Sequence, residues 1–229
     1  MKQLLFLLFP VMLFSQSNYE RAQRLFDDKK YEQAKPIFET LLKSNSTNLV
    51  IIEDLGDIAG ASKSWPEAIG YYKRLKTLKP NEANYHYKYG GATGMYALEV
   101  NKFKALGMID DIKESFEKAI ELEPKHIDAR WALVMLYIQL PGIVGGSESK
   151  AIRYSNELLA ISPVDGYMSR GRIEEYFKRY KSAENMYKKA IVVSNNSIES
   201  YKMLADLYRN KMDDPTRANA IQEQIKKLN

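Results

Sequence analysis

The residues that most often carry enzymatic or metal chemistry are few in this sequence. It contains two histidines, His86 and His126, and no cysteine. Neither histidine has a carboxylate or a second histidine at the spacing of a metal site. Thiol nucleophiles and disulfides are excluded without cysteine, and no serine-nucleophile motif occurs. Paired carboxylates such as Glu174 and Glu175 are typical of solvated helix faces. The sequence therefore predicts no enzyme, no metal site and no cofactor.

A glycine-rich stretch, residues 141–147, is the segment that comes nearest to a phosphate-binding loop. It reads Pro-Gly-Ile-Val-Gly-Gly-Ser and precedes a helical segment, and backbone N–H groups at a helix start attract anions. A nucleotide-binding loop of the Walker type, however, follows a strand and ends in Gly-Lys-Ser or Gly-Lys-Thr. An interhelical turn with Ser147 as N-cap is the preferred interpretation, and a loop that contacts a partner is the alternative.

Charge and composition argue against a nucleic-acid-binding protein. Lysine and arginine number 34 and aspartate and glutamate number 29, a formal net charge of +5. Charges of both signs are interspersed along helical segments, and a basic stripe with interleaved exposed aromatic residues is missing. A hydrophobic content of 45% is typical of a folded chain. We therefore expect a folded protein with a solvated surface and no nucleic-acid partner.

The first residues differ in composition from the rest of the chain. Met1 and Lys2 lead into the apolar run Leu4 to Phe14, which is followed by Ser15 and polar residues. This order predicts a signal peptide over residues 1–17, because the apolar run is shorter than the roughly 20 residues of a membrane-spanning helix. The mature chain is then periplasmic or secreted without stable membrane insertion, and the lack of cysteine excludes a lipoprotein. An uncleaved N-terminal anchor helix is the alternative.

An internal repeat organises the remaining residues. A small residue is followed four and seven places later by larger apolar residues, with a helix breaker about twelve places after it. Copies of this pattern begin at Ala34, Ala68, Ile112, Ala151, Ala183 and Ala218, and the third copy has the larger Ile112 in place of the small residue. Their spacings of 34, 44, 39, 32 and 35 residues scatter about a period of 34. A second amphipathic segment precedes each copy, so every repeat is expected to hold two helices.

The preceding segments share a motif of leucine, a small residue and an aromatic residue. It occurs at Leu133, Val134 and Tyr137 and again at Leu204, Ala205 and Tyr208. Together the two patterns resemble the tetratricopeptide repeat family. The resemblance implies an all-α fold, a right-handed α-solenoid of about six helix-turn-helix repeats over residues 18–229. The implied repeats are 18–48, 49–82, 83–126, 127–163, 164–197 and 198–229, and they must stack to bury their apolar faces.

Two of these repeats are longer than the period. The third has about ten extra residues between Met95 and Asp110, which predicts a first helix extended by one or two turns and a bend near Gly107. The surplus of the fourth repeat is the glycine-rich stretch. Glycine inside a helix costs about 1 kcal/mol relative to alanine. At Gly90, the small position of the family, we expect close helix packing to offset that loss.

In the family, the first helix of each repeat lines the inner surface, and residues four apart share its exposed stripe. The resemblance therefore implies a partner-binding groove lined by Glu53, Asp57, Tyr87, Gly91, Gly94, Trp131, Met135, Met168, Arg172, Lys202 and Arg209. Its early part is acidic, its middle apolar and its later part basic. Residues that bind a terminal carboxylate in some family members are not found, because Gln23, Glu53 and Asp54 occupy the corresponding positions.

These features predict a non-catalytic adaptor or scaffold of the cell envelope that binds a protein or peptide partner in an open groove, with Trp131 and Tyr87 as aromatic anchors. The alternative is a small-ligand or glycan receptor, or an accessory subunit of an envelope hydrolytic system. In that case the insertion of the third repeat is a lid over Gly91 and Gly94. The last helix lacks an obvious capping helix, so two copies are expected to be able to pair there as a homodimer.

Overall fold

The computed structural model describes the backbone of residues 8–228 and the side chains of residues 18–228. The signal peptide expected over residues 1–17 lies outside the residues whose side chains are described. No helix in the described part of the chain is long and apolar enough to cross a membrane. All regular secondary structure within residues 8–228 is helical, which confirms the all-α class.

The chain divides into two compact units, Met1–Leu122 and Glu123–Asn229. Unit 1 contains the helices α1 (Leu8–Asp27), α2 (Tyr31–Ser44), α3 (Leu49–Ala61), α4 (Trp65–Leu78), α5 (Ala83–Glu99), α6 (Lys102–Leu106) and α7 (Ile109–Leu122). Unit 2 contains α8 (Ile127–Gln139), a 3-10 helix (Gly142–Val144), α9 (Glu148–Ile161), α10 (Pro163–Tyr176), α11 (Tyr180–Val193), α12 (Ile198–Asn210) and α13 (Pro215–Lys226). Within each unit the helices pack in pairs along the chain, α1 with α2, α3 with α4 and α5 with α7, then α8 with α9, α10 with α11 and α12 with α13.

Polar side chains define several helix starts. The Asn48 side chain accepts hydrogen bonds from the N–H groups of the first turn of α3. Ser147 accepts from Lys150 N at 3.3 Å, and Asp214 accepts from Arg217 N at 2.9 Å. These bonds satisfy N–H groups that have no partner inside the helix. The predicted N-cap at Ser147 is confirmed.

Small residues on the first helix of a pair receive an aromatic ring from the second. A Cβ atom at Gly56 of α3 would lie 2.6 Å from Cε1 of Tyr72 on α4. At Gly90 of α5 it would lie 3.0 Å from Cε1 of Phe116 on α7. The helix axes approach closely only because these positions lack a side chain. Close packing at Gly90 is thus confirmed.

The repeat pattern forms the apolar core of each unit. In unit 1 Phe38 and Leu75 are fully buried, as Tyr187 and Leu158 are in unit 2. The alanines that begin five of the copies, Ala34, Ala68, Ala151, Ala183 and Ala218, are also fully buried. Burying a large apolar side chain contributes about 1.5–3 kcal/mol. The burial of these repeat residues is therefore the main source of stability in a chain without disulfides.

The third-repeat insertion is a longer first helix followed by a short one. Helix α5 has 17 residues, against 13 in α3, so the expected extension is confirmed. The chain breaks first at Val100, earlier than expected, and Asn101 caps α6 through Lys104 N at 3.0 Å. A second break at Gly107 leads into α7. The insertion is thus an ordered extension of the helical pair.

Candidate partner-binding faces

In unit 1, the helices α3 and α5 bring three carboxylates and one ammonium group together. Lys88 Nζ on α5 lies 2.7 Å from Glu53 Oε1 and 2.7 Å from Asp57 Oδ2, both on α3. Residues four apart share one face of a helix, so Glu53 and Asp57 stand side by side on α3. We refer to Glu53, Asp54, Asp57 and Lys88 as the acidic face.

Two further side chains fix the geometry of the acidic face. The Tyr72 hydroxyl on α4 donates a 2.7 Å hydrogen bond to Asp57 Oδ1. Burial and this bond raise the pKa of Tyr72, so the phenol stays protonated and remains a donor. Burial by itself lowers the pKa of Lys88, but the hydrogen bonds to Asp57 and Glu53 outweigh it and the pKa is raised. Lys88 is therefore a permanent cation between two carboxylates.

Asp54 is the member of the acidic face that has too few partners. It is only 8% exposed, and its Oδ2 atom has no hydrogen-bond donor in the described part of the chain. Burial, followed by the charges of Asp57 and Glu53, raises the pKa of Asp54 to about 7, against a smaller opposing effect of Lys88. A buried carboxylate without a full set of donors is unfavourable in its ionised form. Asp54 thus changes charge near neutral pH.

The other predicted residues of unit 1 lie on α5. The Tyr87 ring is half-buried and packs against Phe116 on α7, with 6.0 Å between the ring centroids. A Cβ atom at Gly91 would meet no atom within 4 Å, and one at Gly94 would meet only Ile112 Cγ2 at 3.9 Å. A Cβ atom therefore has room at Gly91, and no atom of the insertion lies within 4 Å of that position.

In unit 2, Trp131 links two successive first helices. Its indole Nε1 on α8 donates a 2.8 Å hydrogen bond to Asp165 Oδ1 on α10, and the side chain is half-buried. Asp165 also accepts a bond from Ser162 Oγ. The polar edge of the ring is therefore engaged inside the unit, which leaves only part of the ring for a partner.

A cleft in unit 2 unites two of the predicted residues, Met135 on α8 and Arg172 on α10. We call it the unit 2 cleft, and its volume is about 210 Å³. Arg172 Nη1 pairs with Glu175 Oε1 at 3.1 Å, and the Tyr187 hydroxyl donates to Glu175 Oε2 at 2.8 Å. The full lining consists of Met135, Ile138, Gln139, Arg172, Glu175, Tyr176, Lys178, Tyr180 and Lys211.

The charge of the unit 2 cleft is positive. Glu175 is buried and bound to Arg172 and Tyr187. Lys178 and Lys211 are exposed, and neither forms an ion pair with another described residue. Two unpaired ammonium groups therefore stand beside the exposed ring of Tyr176. This combination of an aromatic ring, a thioether and free cations suits an apolar side chain with a neighbouring negative charge.

The remaining predicted residues of unit 2 do not line this cleft. Met168 accepts a 3.9 Å hydrogen bond from Ser200 Oγ on α12. Lys202 is exposed and lies 3.6 Å from Glu199, and Arg209 is bonded to Asn219 at 3.5 Å. Lys211, two residues after Arg209, contributes the basic charge instead, because it follows the end of α12 beside the cleft.

Both histidines have structural partners. His126 caps α8, where its Nδ1 atom accepts from Ala129 N at 3.2 Å. His86 Nε2 lies 2.7 Å from the Pro80 carbonyl oxygen, and burial lowers the pKa of His86. Within the described residues, no three His, Asp or Glu side chains are placed to hold a metal ion.

Sequence reasoning missed Lys88 of the acidic face and Tyr176, Lys178 and Lys211 of the unit 2 cleft. It also missed Asp165 as the partner of Trp131. Asp165 could have been found from the period, because 34 residues separate it from Trp131. Lys88 follows Tyr87, which was assigned to the groove. A single lysine in a chain rich in lysine, however, is not distinguished by any sequence pattern. Helix ends and turns are not part of the repeated motif, so they gave no indication of Lys178 or Lys211.

Comparison with known proteins agrees with this geometry. A family model described as tetratricopeptide repeat matches residues 103–126. A tetratricopeptide repeat protein from Parabacteroides merdae superposes with a TM-score of 0.65 at 17% identity, covering 92% of this chain and 78% of that chain. YrrB, a TPR protein with an unusual peptide-binding site, superposes with a TM-score of 0.55 at 16% identity, covering 81% and 89%.

A curated relative is far longer than this chain. The mouse protein O-mannosyl-transferase TMTC3 is 20% identical over 187 residues, which are 78% of this chain but 20% of that protein. The chain thus spans about a fifth of the length of this relative. The paired helices of both units, the matched repeat at residues 103–126 and the superpositions together show that this chain has the fold of tetratricopeptide repeat proteins.

Proposed function

We propose that the chain is a non-catalytic scaffold that binds a protein or peptide segment on the faces of its first helices. The unit 2 cleft is the observation that carries this proposal. It combines the ring of Tyr176 with Met135 and the free ammonium groups of Lys178 and Lys211. Aromatic and cationic side chains beside an apolar cleft are typical of protein-binding surfaces.

The chemistry of the cleft favours a particular kind of segment. An apolar side chain inserted beside Met135 and Tyr176 would bury apolar surface, while Lys178 and Lys211 would attract an adjacent carboxylate. The peptide-binding site of YrrB, a structural neighbour, supports a peptide as the ligand class. A non-catalytic role is further supported by the histidines, since His126 caps a helix and His86 is bonded to a backbone carbonyl.

Site-specific crosslinking tests this function. A photoreactive phenylalanine derivative replaces Tyr176 in the cleft, and a control chain carries it at Val192, an exposed position on α11. Irradiation in envelope extracts, followed by mass spectrometry, should give an adduct with one defined protein from position 176 and none from position 192. Lys211→Glu should reduce that adduct at least several-fold, whereas Lys227→Glu should leave it unchanged. Equal adducts from both positions would contradict the proposal.

We also propose that the scaffold acts outside the cytoplasm. The support is the order of residues 1–17, with lysine before an apolar run and serines after it. N-terminal mass spectrometry of the protein recovered from an envelope fraction should find a chain that begins near Ser15 to Ser17. A full-length chain that retains Met1 would contradict export with cleavage.

Pairing of two copies through the C-terminal helix remains a prediction. The helix leaves less apolar surface exposed than the sequence indicated. Ile225 on α13 is buried and Ile221 is half-buried, whereas Leu228 is 46% exposed. Sedimentation equilibrium on the wild type and on Leu228→Glu decides the question. A dimer that the substitution disrupts supports pairing, and a monomeric wild type rejects it.

A further inference from the structure

The acidic face of unit 1 has an imbalance of charge. Glu53, Asp54 and Asp57 supply three carboxylates, and Lys88 is the ammonium group that pairs with them, at 2.7 Å from Glu53 and 2.7 Å from Asp57. Asn84 adds a neutral donor to Glu53 at 3.4 Å. Two of these carboxylates remain partly exposed, with side-chain exposures of 26% for Glu53 and 33% for Asp57. The face therefore offers open acceptors next to excess negative charge.

The burial of Asp54 without a full set of hydrogen-bond donors is a second, independent observation about the acidic face. The residue is more than nine-tenths buried, adjoins Glu53 in sequence, and its Oδ2 atom lacks a donor among the described residues. The groups that act on it are Glu53 and Asp57 on its own helix, Lys88 on α5 and Asp27 on α1, while Tyr19 on α1 is in turn affected by Asp54. Of the groups just named, Lys88 alone is positively charged. The Oδ2 atom of Asp54 therefore lacks a hydrogen-bond donor, and Lys88 offsets only part of the negative charge around it.

We infer that the acidic face binds a cationic group of a partner segment, the ammonium of a lysine or the guanidinium of an arginine, at the partly exposed carboxylates of Glu53 and Asp57 beside Lys88. The inference rests on the proposed scaffold function and names the chemistry that unit 1 recognises. An organic cation is the expected ligand because no metal-binding group of three side chains is present within the described residues. Lys88 lies between Glu53 and Asp57 and offsets one of their two negative charges, so a second cation would offset the other.

Binding of a cation is linked to the proton on Asp54. A positive charge nearby favours the ionised carboxylate and so lowers its pKa. Since the pKa of Asp54 is about 7 in the free protein, binding at neutral pH should release about half a proton. The affinity should therefore rise by up to about tenfold between pH 6 and pH 8, as the ionised fraction grows from about one-tenth to about nine-tenths.

A labelled peptide of alternating lysine and glycine tests this inference on the full chain. Its control replaces every lysine with glutamine, and fluorescence anisotropy is measured at pH 6 and pH 8 at constant ionic strength. The lysine peptide should bind about tenfold more tightly at pH 8. Because the chain carries a net charge of +5, general electrostatic attraction would not favour this peptide. Equal affinity for both peptides would overturn the inference.

Two variants distinguish the contribution of Asp54 to peptide binding from the contribution of the overall surface charge. Asp54→Asn should bind the lysine peptide about tenfold more weakly than wild type at pH 8 and should lose the pH dependence. Asp110→Asn removes the same charge from a side chain that is 85% exposed, and it should behave like wild type. An Asp54→Asn protein that keeps both the affinity and the pH dependence would overturn the inference.

Calorimetry gives a readout that needs no variant. Titrations of wild type at pH 7 in two buffers of different ionisation enthalpy should report the release of about half a proton, and no proton release would count against the site. If the crosslink from position 176 is obtained but the lysine peptide does not bind, the inference about the acidic face is wrong and the proposed scaffold function is retained. If both experiments fail, both proposals fail.

Discussion

Trp131 Nε1 donates a 2.8 Å hydrogen bond to Asp165 Oδ1, and 34 residues separate the two. In unit 1, Trp65 Nε1 donates to Glu99 Oε1 at 2.6 Å over the same separation. An indole and a carboxylate one repeat apart therefore connect successive helical pairs in both units. Trp131, expected from the sequence to be an anchor for a partner, also serves to hold α8 against α10.

Trp131→Phe should lower the stability of unit 2. The substitution keeps an aromatic ring but removes the donor to Asp165, and the loss of a hydrogen bond to a charged group costs about 1–3 kcal/mol. Thermal unfolding followed by circular dichroism should show a melting temperature that is lower by a few degrees. Trp65→Phe is the control, because its bond is exposed and its removal should have a smaller effect. Equal melting temperatures for Trp131→Phe and wild type would mean that the bond contributes nothing.

Asp54→Asn should stabilise unit 1 in a pH-dependent way. Burial and the nearby carboxylates raise the pKa of Asp54 from 3.8 to about 7. Between these values the folded protein binds a proton that the unfolded chain does not, so the free energy of unfolding falls as the pH rises. Each tenfold change in proton affinity is worth about 1.4 kcal/mol, so the penalty above pH 7 is on the order of 2–4 kcal/mol.

Urea unfolding at pH 4.5 and pH 8 measures this effect. Asp54→Asn should exceed wild type by a few kcal/mol at pH 8 and by little at pH 4.5. Asp110→Asn, an exposed control, should change the free energy of unfolding by less than about 0.5 kcal/mol at both values. A gain that is the same at both pH values would show that Asp54 is ionised throughout and would contradict the raised pKa.

The repeated apolar pattern predicted the fold, because it is the pattern that buries each helix against its neighbours. Ala34, Phe38 and Tyr187 are buried where the period requires it. The site was predictable only where it follows the period, as at Met135 and Arg172. Asp54 was not, since charged residues are rarely buried without a partner. The burial of Asp54 depends on how α1 and α3 pack, and the spacing of apolar residues in the sequence does not predict that packing.

A lysine in the turn between α3 and α4 offers a test of local backbone strain. Lys63 has φ of 56°, in the left-handed region that is unfavourable for a residue with a side chain. Lys63→Gly should therefore raise the free energy of unfolding by about 0.5–1 kcal/mol. Lys63→Ala removes the same charge and retains the Cβ atom, so it should give no such gain. Equal stability of the two variants in urea would assign the effect to charge and not to φ.

The last prediction compares two glycines inside helices. At Gly56 a Cβ atom would lie 2.6 Å from Tyr72 Cε1, and the Tyr72 ring is held by its hydroxyl bond to Asp57. Gly56→Ala should therefore cost about 1–3 kcal/mol, because the ring cannot move without losing that bond. At Gly91 a Cβ atom would meet nothing within 4 Å. Gly91→Ala should instead gain about 0.5–1 kcal/mol from helix propensity. Urea unfolding of both variants distinguishes the two cases by sign, and a loss of stability at Gly91 would mean that this side of α5 is covered.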